Sequence, residues 1–214
     1  MQAFPVVNCA NLECANERVG IAARFLKAGD WVHIDVTDGK FASNAIWGNP
    51  EEFKELRKRF HLLNFEIHLM VQDPEAQIDA WLRYGAKRIV VQLETITDPI
   101  YILHKCKKFE AEAVLSSGPH SEPERLLAHQ SDFKYFQILA VFPGLAGQKF
   151  QHQALDKIRF LRSHYPASII EVDGGINAET AHLARKAGAD IVVSASYIFD
   201  SADPTAAYKK LLAV

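Results

Sequence analysis

Eight short runs of apolar, β-branched and aromatic residues recur along the 214-residue chain, and their spacing limits the possible folds more than any other feature. They read FPVV (4–7), WVHIDV (31–36), NFEIHLMV (64–71), RIVVQL (88–93), AEAVL (111–115), YFQILAV (135–141), SIIEV (168–172) and DIVVSA (190–195). Each is too short for a stable helix and rich in strand formers. The segments between them carry helical boundary signals. NPEEFKELRKRF has Pro50 near its first turn, DPEAQIDAWLRYG has Asp73 as N-cap and Gly85 as stop, and NAETAHLARKAG has Asn177 and Gly188 in the same roles. Strand alternating with helix is the sequence form of an α/β protein with a parallel sheet. Strand starts lie roughly 20–35 residues apart, the length of one βα unit.

Eight such units either close into a (β/α)8 barrel or open into a doubly wound sheet. A dinucleotide-binding sheet wants GxGxxG after its first strand, and here that place reads NCANLECAN, without a glycine. We therefore expect a single (β/α)8 TIM barrel domain over residues 1–214. The length suffices to bury about 70% of the unfolded surface without staples. With 24 basic and 26 acidic residues spread along the chain there is no basic stripe, so nucleic acid is not an expected partner. Neither a signal-peptide pattern nor an apolar stretch of membrane-spanning length occurs, so no membrane partner is expected and a cytoplasmic location is the default. Cys9, Cys14 and Cys106 fit no zinc or disulfide spacing and read as idle thiols of a reducing compartment.

A barrel places its functional groups at the C-terminal ends of the strands. Of nine histidines, all but His33 and His68 fall in helices or loops. These two sit late in apolar strands, and the two-residue repeat puts His33 and Asp35 on one face. Asp173 ends the seventh strand, so two imidazoles and two carboxylates from three strands would meet at the barrel mouth. Each could be a satisfied core polar group or a strand-end cap. Buried together, however, two carboxylates are costly unless a cation joins them, and two His with two Asp suit zinc, iron, manganese or cobalt.

The glycines indicate a second element. PGLAG (143–147), DGG (173–175) and SAS (194–196) follow the last three strands, where small residues let backbone N–H groups approach an anion and where barrels most often hold phosphate. They also fit ordinary tight turns. A metal beside two carboxylates with a phosphate cradle suits proton abstraction next to a carbonyl, and proton return on the opposite face would be epimerisation.

The blocks HIDVTDGKF, HLMVQDPE, PGLAGQKF, EVDGGIN and SASYIF, in this order between residues 33 and 199, resemble those of the ribulose-phosphate 3-epimerase family. The resemblance implies a ribulose-phosphate-binding barrel that interconverts D-ribulose 5-phosphate and D-xylulose 5-phosphate in the pentose phosphate pathway. It also implies one divalent metal ion per subunit (Zn, Fe, Mn or Co) and a homo-oligomer. Carried over by position, the metal ligands are His33, Asp35, His68 and Asp173, and Asp35 and Asp173 are the acid/base pair. The sugar phosphate would lie against Asn8, His68, the loop Gly144, Leu145, Ala146 and Gly147, and the cradle Gly174, Gly175, Ala195 and Ser196. The chain departs from the family at Asn8 (a serine), Thr37 (a methionine), Gln92 (a histidine), the PGLAG loop and Ala195. These changes keep open a related substrate such as a hexulose 6-phosphate, or a phosphosugar-binding barrel without catalysis.

Overall fold

The computed structural model describes residues 1–214, with the side chain of Ala45 left undescribed. Its elements alternate as the sequence leads one to expect: β1 (Gln2–Val7), α1 (Leu12–Ala22), β2 (Trp31–Asp38), β3 (Ala45–Ile46), α2 (Pro50–Arg59), β4 (Asn64–Met70), α3 (Pro74–Arg83), β5 (Arg88–Gln92), α4 (Pro99–Lys108), β6 (Glu112–Ser117), α5 (Glu124–Leu127), β7 (Tyr135–Leu139), α6 (Gln153–His164), β8 (Ile169–Asp173), α7 (Ala178–Ala187), β9 (Ile191–Ser194), α8 (Ser196–Phe199) and α9 (Pro204–Leu212). Eight parallel strands follow one another in the order β1, β9, β8, β7, β6, β5, β4, β2, and β1 pairs with β2 to close the ring. Closure is seen in the register, where Val6 faces His33 on one side and Phe4 faces Val193 on the other. The two-residue β3, unexpected from the sequence, runs antiparallel to the end of β2.

Local chemistry sets the helix starts. Four helices open on an Asx–Pro pair, Asn49–Pro50, Asp73–Pro74, Asp98–Pro99 and Asp203–Pro204, with the Asx side chain accepting from first-turn N–H groups and proline placed where no N–H is needed. Asn177 and Thr180 form a reciprocal capping box, and α7 stops at Gly188 with φ 117°.

Two cores result. The larger lies between sheet and helices, where outward strand residues such as Ile34, Phe65, Ile67 and Leu69 meet Phe53 and Trp81. Phe53 contacts Phe65 edge-on at 5.5 Å and Trp81 at 5.4 Å between centroids. The smaller fills one side of the barrel interior with Phe4, Val6, Ile191 and Val193. The other side is polar, holding His33, Asp35, Glu66, His68, Arg88, Gln92, Ser116, Gln137 and Glu171, all buried.

The thiol reading needs correction. Cys9 and Cys14 are joined in a disulfide, with Cα atoms 5.7 Å apart, and the free cysteine is Cys106. The chain turns from β1 into α1 at Asn11, whose side chain accepts from the N–H of Cys14, and this corner brings two residues of short separation side by side. No helix among the described residues is long and apolar enough to cross a membrane.

Candidate active site and metal centre

Parallel pairing places Asp35 of β2 beside His68 of β4, and the period of two brings His33 below Asp35 on the same inner face. Asp173 reaches the group from the end of β8. His33 Nε2 stands 3.2 Å from Asp35 Oδ1, and His68 Nδ1 stands 3.3 Å from the same oxygen and 3.5 Å from Asp173 Oδ2. One donor atom from each residue fits within 4.8 Å of all the others. A tetrahedral ion with bonds of about 2.1 Å separates its donors by about 3.4 Å, so the observed spacing suits a divalent cation. His68 Nδ1, though near two carboxylates, has no well-directed hydrogen bond and faces the centre of the quartet. The residues therefore fit a metal.

Behind the quartet each histidine is gripped on its other nitrogen. His33 Nδ1 lies 2.6 Å from Glu66 Oε1, and Arg88 Nη1 donates to Glu66 Oε2 at 2.9 Å. Arg88 is covered by the rings of Trp31 and Tyr135, with Glu112 as its second acceptor. His68 Nε2 lies 2.6 Å from the amide of Gln92, which begins a chain through Ser116 and Gln137 to Glu171.

Burial alone would push all these charges toward neutrality, so the shifts show which partners prevail. Burial opposes the His33 cation, but Asp35 and Glu66 raise its pKa well above the usual imidazole range. His68 is likewise raised against burial by Asp173 and Asp35. Asp35 is held far below the carboxylate range by His33 and His68 despite its burial. Glu66 is held down to about 2 by His33 and Arg88. Glu171 goes the other way, pushed up to about 8 by burial and the nearby Glu66.

A pocket opens above the quartet. Its lining includes Asn8, Asp35, Asp173 and the expected loop and cradle residues Gly144, Leu145, Ala146, Gly147, Gly174, Gly175, Ala195 and Ser196. His33 and His68 have no exposed surface and lie beneath this lining, so His68 meets the quartet but not the pocket. Asn8 donates from Nδ2 to Asp35 Oδ2 at 2.8 Å and to the carbonyl of Gly144 at 3.0 Å, tying the loop to the carboxylate. Gln148 holds the same loop by donating to Phe142 and Leu145 carbonyls. Gly174 and Gly175 have φ of 104° and 65°, and a Cβ on Gly175 would sit 2.4 Å from the backbone nitrogen of Phe150. Ala195 has φ −98°, so its methyl does not meet the penalty of the left-handed region.

Thr37 does not line the pocket. Its hydroxyl donates to the carbonyl of Asn44 at 2.5 Å and accepts from Ile46 N–H at 2.7 Å, which fastens β3 over the end of β2. Asp38 serves the adjacent turn, accepting from Lys40, Phe41 and Gln72 N–H groups. The sequence reading missed Glu66, Arg88, Ser116, Gln137 and Glu171. For Glu66 and Glu171 a signal was available, since each precedes a quartet residue by two positions and so shares its face.

A family model described as the ribulose-phosphate 3 epimerase family matches residues 8–199. The ribulose-phosphate 3-epimerase of Chlamydia pneumoniae is 34% identical over 97% of this chain and 91% of its own length. The cytoplasmic isoform of the same enzyme from Oryza sativa subsp. japonica is 34% identical over 86% of this chain and 82% of its own. Among solved structures, the 3-hexulose-6-phosphate synthase of Salmonella typhimurium superposes with a TM-score of 0.74 over 99% of this chain and 96% of that one, at 16% identity, a likeness of fold alone. Sequence match over most of its length and the barrel architecture agree: the chain belongs to the ribulose-phosphate 3-epimerase family.

Proposed function

We propose that the protein is a metal-dependent epimerase that interconverts D-ribulose 5-phosphate and D-xylulose 5-phosphate. One observation carries the reading: Asp35 and Asp173, on strands from different parts of the ring, both reach the same four-donor cluster at the floor of the pocket. His33, Asp35, His68 and Asp173 would hold the cation, and zinc, iron, manganese and cobalt all suit that donor set. When bound, the cation supplies positive charge that stabilises an enediolate.

The protein's own groups account for the proton movements. Asp35 lines the pocket floor and is oriented by Asn8, which donates to its Oδ2, so it is placed to exchange a proton with the substrate. The C3–H bond of the ketose breaks, its proton passes to one carboxylate, its electron pair forms the C2=C3 bond, and the C2 carbonyl π pair moves onto oxygen to give the enediolate. The other carboxyl group delivers a proton to the opposite face of C3 and the carbonyl re-forms, which inverts the centre. The phosphate would rest against the backbone of Gly174, Gly175, Ala195 and Ser196, with the Gly144–Gly147 loop over the sugar.

The test is proton NMR of ribulose 5-phosphate in deuterated water, with metal content recorded on the same sample. We expect xylulose 5-phosphate to form with deuterium at C3, and both Asp35→Asn and Asp173→Asn to abolish it. Turnover at full rate in either variant, or in a chelator with no metal present, would overturn the assignment. A related ketose phosphate is the second reading, favoured by Asn8 and by Leu145, which is 64% exposed at the pocket. Turnover of a hexulose 6-phosphate alone would establish it. We also place the protein in the cytoplasm as a homo-oligomer, in line with the name of the rice relative and the family resemblance. A reducing cytoplasm would open the Cys9–Cys14 bridge.

A further inference from the structure

The quartet uses different nitrogens of its two histidines, and this difference has to be enforced. His33 turns Nε2 toward Asp35, and its Nδ1–H donates to Glu66, a carboxylate that can only accept. His68 turns Nδ1 toward Asp35 and Asp173, so its Nε2 must carry the proton whenever Nδ1 binds a cation. As placed, the Gln92 atom 2.6 Å from Nε2 is the amide nitrogen, while Gln92 Oε1 is buried with no partner among the described residues. An amide can offer either a donor or an acceptor there, because a half turn about its last bond exchanges nitrogen and oxygen with almost no change of shape. Only the oxygen is compatible with a protonated Nε2.

We propose that Gln92 is a positioning residue whose Oε1 accepts from His68 Nε2–H, fixing the tautomer that leaves Nδ1 free for the metal. The inference rests on the metal reading above. Gln92 is fully buried; as placed, its amide nitrogen donates to Ser116 Oγ at 3.1 Å and Ser116 donates to Gln137 Oε1 at 2.6 Å. With Oε1 toward His68, the Ser116 hydroxyl turns to donate to Gln92 and the Gln137 amide turns to donate to Ser116. Ser116 and Gln137 are themselves buried, so the amide cannot turn out toward solvent. Gln92 also sits at the end of β5, next to Ser116 in register, and the sheet therefore sets its distance from His68. Where His33 is backed by a charged acceptor, His68 is backed by a neutral one that does not titrate. The Gln92 side of the site adds no negative charge to the metal environment.

Two measurements test this. In zinc-loaded wild-type protein labelled with 15N-histidine, the long-range 1H–15N spectrum should show His68 with a protonated Nε2 and zinc on Nδ1. Zinc on Nε2, or a protonated Nδ1, overturns the proposal. By chelator competition, Gln92→Met, which keeps the volume but removes the acceptor, should weaken zinc binding by about ten- to a hundredfold. Gln92→Glu, which keeps an acceptor, should stay within a few-fold of wild type. Unchanged affinity in Gln92→Met, or equal loss in both variants, overturns it. Should Gln92→Met fail to fold, Gln92→Leu replaces it in the same competition assay, with the same loss expected and unchanged affinity again overturning the proposal. A wild-type protein that binds no divalent ion refutes the metal reading and this inference with it, whereas tight binding without the expected tautomer refutes this inference alone.

Discussion

Replacing Arg88 with methionine tests how the polar half of the barrel is held together. Arg88 is 4% exposed and donates to Glu66 through Nη1 and to Glu112 through Nε and Nη2. Glu112 reaches solvent, with 41% of its side chain exposed, and tolerates the loss. Glu66 is 0% exposed and would keep only His33 as a cationic partner. Removing one member of a buried pair costs about 3–5 kcal/mol, because the remaining charge is left uncompensated. At roughly 2–4 °C per kcal/mol for a chain of this size, Tm should fall by about 6–20 °C at pH 7. The penalty belongs to the Glu66 anion. Without Arg88 the folded pKa of Glu66 rises from about 2, so the deficit is full above the variant's raised folded pKa and shrinks as pH falls through that value toward about 2. Glu66→Gln on the same background removes the orphaned charge while keeping an acceptor for His33, and should recover most of the loss. Calorimetry of the wild type, both single variants and the double variant from pH 7 to pH 4.5 measures all of this. A loss below about 1 kcal/mol in Arg88→Met would show that the pair is not a buried charge pair of the expected worth. Additive effects in the double variant would equally refute the account.

Metal uptake should release protons, since both ligand histidines have raised pKa values in the metal-free protein and must be neutral to bind. Titration calorimetry in buffers of differing ionisation enthalpy should therefore show net release at pH 7 and an affinity that falls as pH is lowered, and zero release would contradict the shifts. Gly175→Ala forces a side chain into φ 65° and against the Phe150 backbone, so the cradle must shift by about 1 Å and kcat/KM should drop about a hundredfold. An unchanged KM and Tm would remove Gly175 from the cradle. Thiol titration of the denatured, unreduced protein should find one free cysteine, Cys106, and three after reduction. Three without reduction would mean that the Cys9–Cys14 bridge is open in solution.

The barrel was legible because each strand is a short apolar run flanked by capping and stop residues, and because no nucleotide-type glycine loop follows β1. His33, Asp35, His68 and Asp173 stood out for a related reason: a polar residue inside an apolar strand conflicts with its neighbours. The supporting residues were hidden by position. Arg88 and Glu112 open their strands and read as boundary charges, while Ser116 lies beyond the expected end of β6 at residue 115. Gln137 is a single amide in an apolar run. Each becomes meaningful only when register places Gln92 beside Ser116 and Gln137 beside Glu171. The disulfide was illegible because its closure depends on the corner between β1 and α1, and β3 because two residues carry no periodicity.

The division of the barrel interior has an electrostatic logic. Phe4, Val6, Ile191 and Val193 make the side formed by β1 and β9 apolar, and that side offers no counter-charge to the other. The polar side must therefore balance itself. In the metal-free protein Asp35 and Glu66 are ionised, and Arg88 with the raised His33 and His68 supply positive charge against the carboxylates, while burial keeps Glu171 from adding another full negative charge below about pH 8. A cation held by the quartet requires His33 and His68 to be neutral, so the positive charge beside Asp35 changes carrier and is not lost. The core thus stays compensated in both states. This explains how carboxylates that would otherwise repel each other can be kept together inside the barrel.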